Sequence, residues 1–228
     1  MLTVELHAHS VASYDGRDTV EAILQHAASA DLDAIAITDH DEFDASRRAV
    51  DIAPNYNLVA IPGMEVSSAD GHVLALGIEE EIPAGLSFEE TLSRIHEQGG
   101  LSIVPHPFQE LRSGVIANID RDTLARAEAI EVYNSRLLTG RSNRQASRFA
   151  SERGLPVTAG SDAHISEMVG QAVTEVDPEE ATPEAILEEI REGRTVIDGH
   201  RTPLTISARQ TAAAIRRRVS HRLGTLTD

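Results

Sequence analysis

The sequence predicts an α/β protein with a mostly parallel sheet. Seven short apolar runs rich in Val, Ile and Ala recur along the 228 residues, and amphipathic stretches of helical length separate most of them. The chain contains no cysteine, so the fold has neither disulfides nor thiolate metal sites to hold it. Seven strands in this order suit either a closed barrel or an open doubly wound sheet.

The expected strands are TVEL (3–6), AIAIT (34–38), LVAIPG (58–63), HVLALGI (72–78), LSIVP (101–105), AIEVY (129–133) and PVTAG (156–160). Helical patterns cover 19–31, 43–53, 87–99 and 140–154. The last two end in glycine, a normal helix stop, while the polar turn at 31–33 ends the first. The short link SSADG (67–71) carries Asp70-Gly71, a hairpin signal, so the third and fourth strands are expected to pair antiparallel.

Aromatic residues make up 3% of the chain, so the core must be aliphatic. The formal charge is -17, and all 20 basic residues are arginine. Such a surface repels polyanions and stays hydrated, which reads as halophilic adaptation or as a coding bias towards arginine. The polar start MLTVELHAHS carries no secretory signal and no apolar run reaches membrane-spanning length, so a cytoplasmic protein without a membrane partner is expected. Residues 201–228 hold six arginines against one acid. They read as a basic tail, helical or partly disordered, that packs on the acidic body or touches nucleic acid. Neither G-x-G-x-x-G nor a P-loop is present.

Chemistry-bearing side chains recur where strands end, the usual place for sites in α/β sheets. His7 and His9 follow the first strand, Asp15 the next turn, His40 the second strand and Glu65 the third. His72 opens the fourth, His106 follows the fifth, and Asp162 and His164 follow the seventh. Six of the ten histidines and three carboxylates thus converge on one rim; His26, His96, His200 and His221 read as surface. Nine nitrogen and oxygen donors exceed what one tetrahedral ion takes and suffice for two or three. Mixed imidazole and carboxylate donors suit manganese, zinc or iron.

In this order, ELHAHSVASYDG, AIAITDHDEF, GMEVSS with HVLALG, VPHP and AGSDAH resemble the PHP (polymerase and histidinol phosphatase) superfamily, above all its stand-alone metal-dependent phosphoesterases. The resemblance runs from residue 3 to about 175. It implies a distorted seven-stranded (β/α)7 barrel with its metal site at the C-terminal rim, a PHP domain over 1–200 and the tail beyond. It also implies that His7, His9, Glu65 and Asp162 hold a first ion, that Glu65 bridges to His72 and His106 on a second, and that Asp15, His40 and His164 hold a third. Some members carry histidine in place of Asp15. The large insertion of the oligonucleotide and nucleotide phosphoesterases is missing here, because Glu128 follows His106 by only 22 positions.

The segment EVYNSRLLTGRSNRQA (131–146) resembles one found beside SDAH in these proteins, and it offers Asn134, Arg136 and Arg141 to a substrate phosphate. The expected reaction is hydrolysis of a phosphorylated small molecule, nucleotide or short oligonucleotide by a metal-bound water with a pKa of ~7, with the third ion, or His164 if that site is empty, as leaving-group stabiliser. No stable nucleic-acid complex is expected, the tail excepted. Asp39 and Asp41 are expected to orient His40. An amidohydrolase-like enzyme and a non-catalytic metal-binding PHP module are the alternatives; the lack of lysine removes the carbamylated bridge that binuclear amidohydrolases often use.

Overall fold

The computed structural model describes residues 1–109, 114–137 and 140–203. In chain order the elements are β1 (Leu2–Ala8), α1 (Val20–Ser29), β2 (Ala34–Ile37), α2 (Asp44–Ile52), β3 (Val59–Ile61), β4 (Gly63–Ser68), β5 (Gly71–Leu76), α3 (Phe88–Glu97), β6 (Leu101–Val104), α4 (Arg121–Leu124), β7 (Ala129–Asn134), α5 (Arg141–Arg153), β8 (Val157–Gly160), β9 (Ala172–Val176), α6 (Pro183–Arg191) and β10 (Val196–Gly199). The four expected helices form within three residues of their anticipated ends. Thr19 and Ser87 cap α1 and α3 by accepting from the N–H groups of Ala22 and Glu90. Past α3 and α5, Gly99 (φ 75°) and Gly154 (φ 65°) take the left-handed conformation; past α1 the same turn falls to Asp31 (φ 55°).

The expected α/β class holds, but the strands do not form a closed seven-stranded barrel. They form two mixed five-stranded sheets, ordered β10-β9-β1-β2-β3 and β4-β5-β6-β7-β8. In the first, β1, β2 and β3 run parallel and β9 pairs antiparallel with both β1 and β10. In the second, β5 runs antiparallel to β4, as the hairpin signal implied, and also to β6; β6, β7 and β8 are parallel. Isolated bridges join the sheets at Ala8–Ala163 and at His40–Glu65.

The expected third strand, 58–63, is in fact two strands in different sheets. Pro62 has no N–H for a ladder, so β3 stops before it and β4 starts after it. The crossing is pinned from both sides: the Gly77 N–H donates to the Pro62 carbonyl at 2.6 Å, and the Gly63 N–H donates to Ser46 Oγ at 2.8 Å. Strands β9 and β10 and helix α6 complete the first sheet and were not anticipated.

An aliphatic cluster of Val4, Leu6, Ala34, Ala36, Leu74, Leu76, Leu101 and Ile103 draws on both sheets, and Ile186 and Ile190 of α6 close it. Two further clusters lie under the helices, and the four phenylalanines fall in one of them. Among the described residues no helix is long and apolar enough to cross a membrane. The basic tail lies outside the described residues from 204 onward; before that, the Thr202 N–H donates to the Ser135 carbonyl at 3.0 Å.

A Cβ added at Gly63 would lie 2.6 Å from Leu76 Cδ2 and 2.8 Å from the Ala75 carbonyl oxygen. Gly63→Ala is therefore expected to destabilise the protein by more than about 1 kcal/mol in urea denaturation, because backbone must move to admit it.

Candidate metal centre

All nine donors singled out in the sequence meet in one cluster. His7 lies within β1 rather than after it, and His9 follows directly. His40 comes three residues after β2, Glu65 is inside β4, His72 is the second residue of β5, and His106 comes two residues after β6. Asp162 and His164 follow β8, and Asp15 lies on the loop after β1. Most are buried; His40, His72 and Asp15 are half-buried.

Glu65 is the hub. Its Oε2 lies 3.1 Å from His7 Nε2, 3.2 Å from His9 Nε2 and 3.5 Å from His40 Nδ1; its Oε1 lies 2.7 Å from His72 Nδ1 and 3.5 Å from His106 Nε2. Asp162 Oδ1 lies 3.8, 3.6 and 3.3 Å from His7 Nε2, His9 Nε2 and His164 Nδ1. Asp15 Oδ2 lies 2.7 Å from His164 Nε2 and 3.8 Å from His40 Nε2.

Two of these approaches are hydrogen bonds, His7 to Glu65 and His164 to Asp15; among the described residues hydrogen bonds do not account for the others. Both ring nitrogens of His9, Nδ1 of His40, His72 and His106, and Glu65 Oε1 are buried without a hydrogen-bond partner. Short separations without hydrogen-bond angles are what donors aimed at a common point produce. Two donors on one tetrahedral ion with bonds of about 2.0–2.2 Å sit about 3.3 Å apart, the scale seen here. Among the described residues four triplets bring their ligand atoms within 4.8 Å of one another: His7–His9–Glu65, His7–His106–Asp162, His40–Glu65–His72 and His9–His40–His164.

The electrostatics agree. Burial drives His9 down to about 3, so its imidazole is neutral, and burial also lowers His40. Burial works against ionising Glu65, but His72, His40 and His7 outweigh it and hold the carboxyl well below its usual range. Asp162 is likewise held low against burial, chiefly by Arg136 and His7, and Asp15 by its hydrogen bond to His164. Neutral imidazoles facing ionised carboxylates are what a divalent cation requires. His7 shows the need most directly. Burial opposes its protonation, yet Glu131, Glu65 and Asp162 together hold it well above its ordinary value, so a proton there does what a cation would do.

The PHP domain family matches residues 5–98 and the PHP-associated family matches 140–195. An uncharacterized protein of Methanocaldococcus jannaschii is 31% identical over 175 residues, which cover 75% of this chain and 69% of the relative. The chain belongs to the PHP family. A phosphoribosyl 1,2-cyclic phosphate 1,2-diphosphodiesterase of Eggerthella lenta is 35% identical over 99 residues, 40% of this chain and 37% of that enzyme. A two-domain protein of Bacteroides vulgatus, containing a predicted PHP-like metal-dependent phosphoesterase, superposes with a TM-score of 0.71 at 21% identity. The match covers 87% of this chain and 65% of that protein.

Around this PHP centre stand residues that the sequence did not single out. Glu131, inside β7, takes His7 Nδ1 on Oε1 at 2.9 Å and the His106 N–H and Asn134 Nδ2 on Oε2, each at 2.9 Å. It fixes His7 with Nε2 towards Glu65, the outer-shell role that orients a metal-ligating imidazole. One carboxylate in an otherwise apolar strand was the signal available. Glu5, pushed up to about 7 by burial, accepts from the N–H groups of His7, Ser161 and Gly170 and so gathers β1 and the Asp162 loop.

Asp39 and Asp41 do not orient His40 as expected. Asp39 accepts from the Ser10 N–H and Oγ and from the Ser13 N–H, and Asp41 accepts from the Ser67 N–H; each ties a loop. Asn134 Nδ2 reaches Asp162 Oδ2 at 3.4 Å, and Arg136 Nη1 reaches the two Asp162 oxygens at 3.1 and 3.2 Å. Arg141 stands exposed at the start of α5 and joins none of these pairs. His26 is half-buried, and His96 and His200 are exposed, in keeping with surface roles; His221 lies outside the described residues.

Metal-stripped protein is expected to melt higher as Mn²⁺ or Zn²⁺ is added, by about 2.7 kcal/mol at a hundred times the dissociation constant. Glu65→Gln, which neutralises the carboxylate met by five imidazoles, is expected to remove most of the shift in scanning fluorimetry.

Proposed function

We propose that this protein is a metal-dependent phosphoesterase acting on a small phosphate ester or on the end of a nucleotide or oligonucleotide, through one PHP domain spanning residues 1–200. One observation carries the reading: a buried carboxylate, Glu65, divides five imidazoles between its two oxygens, as a ligand shared between ions does. His7, His9, Glu65 and Asp162 would hold one cation, Glu65 with His72 and His106 a second, and Asp15, His40 and His164 a third. Manganese, zinc or iron there would supply an acidified water and neutralise phosphoryl oxygens.

The chain's own part is positioning and charge. Arg136, paired with Asp162 and one-fifth exposed (21%), keeps donors for a non-bridging phosphoryl oxygen, and Asn134 stands beside it. His164 rests Nδ1 on the Asp162 carbonyl at 2.8 Å and turns Nε2 towards Asp15; a third cation there, or His164 Nε2 if that position is empty, would meet the leaving oxygen. Glu131 keeps His7 from turning away. The cyclic phosphodiesterase of Eggerthella lenta supports phosphate ester chemistry over amide chemistry.

Phosphate release from a panel of phosphomonoesters and short oligonucleotides with added Mn²⁺ tests the reading; amide turnover without phosphate release would sink it. His7→Ala is expected to lower phosphate release at least a hundredfold (roughly 3 kcal/mol of barrier) while the far-ultraviolet dichroism stays native. Arg136→Ala is expected to raise KM more than it lowers kcat, the pattern of lost binding shared by ground and transition states; a fall in kcat alone would give the guanidinium a transition-state role instead.

A further inference from the structure

The chain has four phenylalanines, three tyrosines and no tryptophan. Phe43, Phe88, Phe108 and Phe149 are buried, and Tyr56 and Tyr133 are half-buried. Tyr14 alone is exposed, at 76%, and it stands at the metal centre. Its ring lies over His40 with centroids 4.9 Å apart and planes 23° from parallel. One face of the phenol is thus against a donor of the cluster while the rest of the ring is open. Val11, on the same loop, is 51% exposed.

The loop that carries Tyr14 is tightly held. Asp39 takes three of its hydrogen bonds from Ser10 and Ser13, the Val11 N–H donates to the Asp18 carbonyl at 2.8 Å, and Ser13 Oγ donates to Asp15 Oδ1 at 2.9 Å. Gly16 closes it so tightly that a Cβ there would fall 1.9 Å from the Ser10 carbonyl oxygen. An aromatic ring left in water on an otherwise well-tied loop, beside a centre read as catalytic, is a surface prepared for contact. A flat ring covers it best, because offset stacking suits a π-face and tolerates differences in ring identity.

We propose that Tyr14 is a stacking platform for a planar aromatic ring in the leaving group of the substrate, and that it selects such phosphate esters over aliphatic ones. The proposal rests on the phosphoesterase reading above. It places the leaving group on the side of Asp15, His40 and His164 and the phosphoryl group against Arg136.

Adenosine 5′-monophosphate and ribose 5-phosphate share the phosphorylated ribose and differ at the anomeric carbon, adenine against hydroxyl, and serve as paired probes. The ratio of their kcat/KM values, measured for the wild type, Tyr14→Ala and Tyr14→Phe with Mn²⁺, is expected to favour the monophosphate in the wild type. It should fall about tenfold in Tyr14→Ala, the size of one base–aromatic stack, and persist in Tyr14→Phe. An unchanged ratio in Tyr14→Ala, including an equal loss on both probes through a disturbed His40, overturns the platform. Calorimetric titration of the same three proteins with both probes reads the stacking without turnover. Absence of hydrolysis together with a ring preference lost in Tyr14→Ala would remove the phosphoesterase reading and keep the platform; equal affinities for the two probes would remove the platform.

Discussion

A buried carboxylate meeting five imidazoles is the constraint on which the rest of this structure depends. Glu65 is 1% exposed, and an isolated charge at that depth is costly unless paired. The neighbours that hold it ionised cannot all be protonated, since burial keeps His9 and His40 neutral. Asp162 and Asp15 are held ionised as well, and Glu65 in turn raises His7 and His72 against the burial that opposes their protonation. The backbone is shaped to keep this arrangement: His106 and Asp162, neither of them glycine, sit at φ 33° and 51°. Such conformations cost about 1–3 kcal/mol each and persist where surrounding contacts over-determine them. The Glu131 carboxylate at the His106 N–H and the Arg136 guanidinium on Asp162 are those contacts.

The same constraint explains why two sheets serve where a closed barrel was expected. Among the described residues the ladders do not run continuously around the molecule; they touch at two isolated bridges, and both are flanked by donors. At one, Ala8 and Ala163 meet between His7 and His9 on one strand and between Asp162 and His164 on the other. At the other, His40 from the first sheet meets Glu65 from the second. A cation held by His40 and Glu65, or by His7 and Asp162, would tie the sheets together beside these bridges.

The site was more legible in the sequence than the fold. Its nine donors stood out because imidazoles and carboxylates recurred beside apolar runs, and the i, i+2 spacings His7/His9 and Asp162/His164 survive folding whatever closes the sheet. Glu131 escaped because a lone carboxylate inside AIEVY reads as part of a strand; its task comes from tertiary contacts, with His7 124 positions earlier and with the His106 N–H 25 positions earlier. Asp39 misled for the opposite reason. Its place next to His40 suggested support for that ring, but its carboxylate, two residues past β2, is taken by the Ser10 and Ser13 donors of a distant loop. The sheet was misread at Pro62, where one apolar run hides a change of sheet decided by a missing N–H. The strands after residue 170 lay beyond the motifs and joined the first sheet through pairing with β1, which local pattern does not announce.

Charge narrows what such a centre can serve. A chain of formal charge -17 repels a long polyanion over most of its surface, and the repulsion is screened only beyond about 8 Å at physiological ionic strength. The counter-charge available to a phosphate is concentrated within the cluster itself, in Arg136 and whatever cations the nine donors hold. A small ester can present its phosphoryl group to that focus while leaving little negative charge elsewhere against the acidic surface. A long nucleic acid must lay many phosphates along that surface at once. The phosphoesterase reading thus favours small esters or chain ends over internal sites of a duplex, on grounds of field rather than fit, and a neutral ring stacked on Tyr14 adds affinity without adding charge.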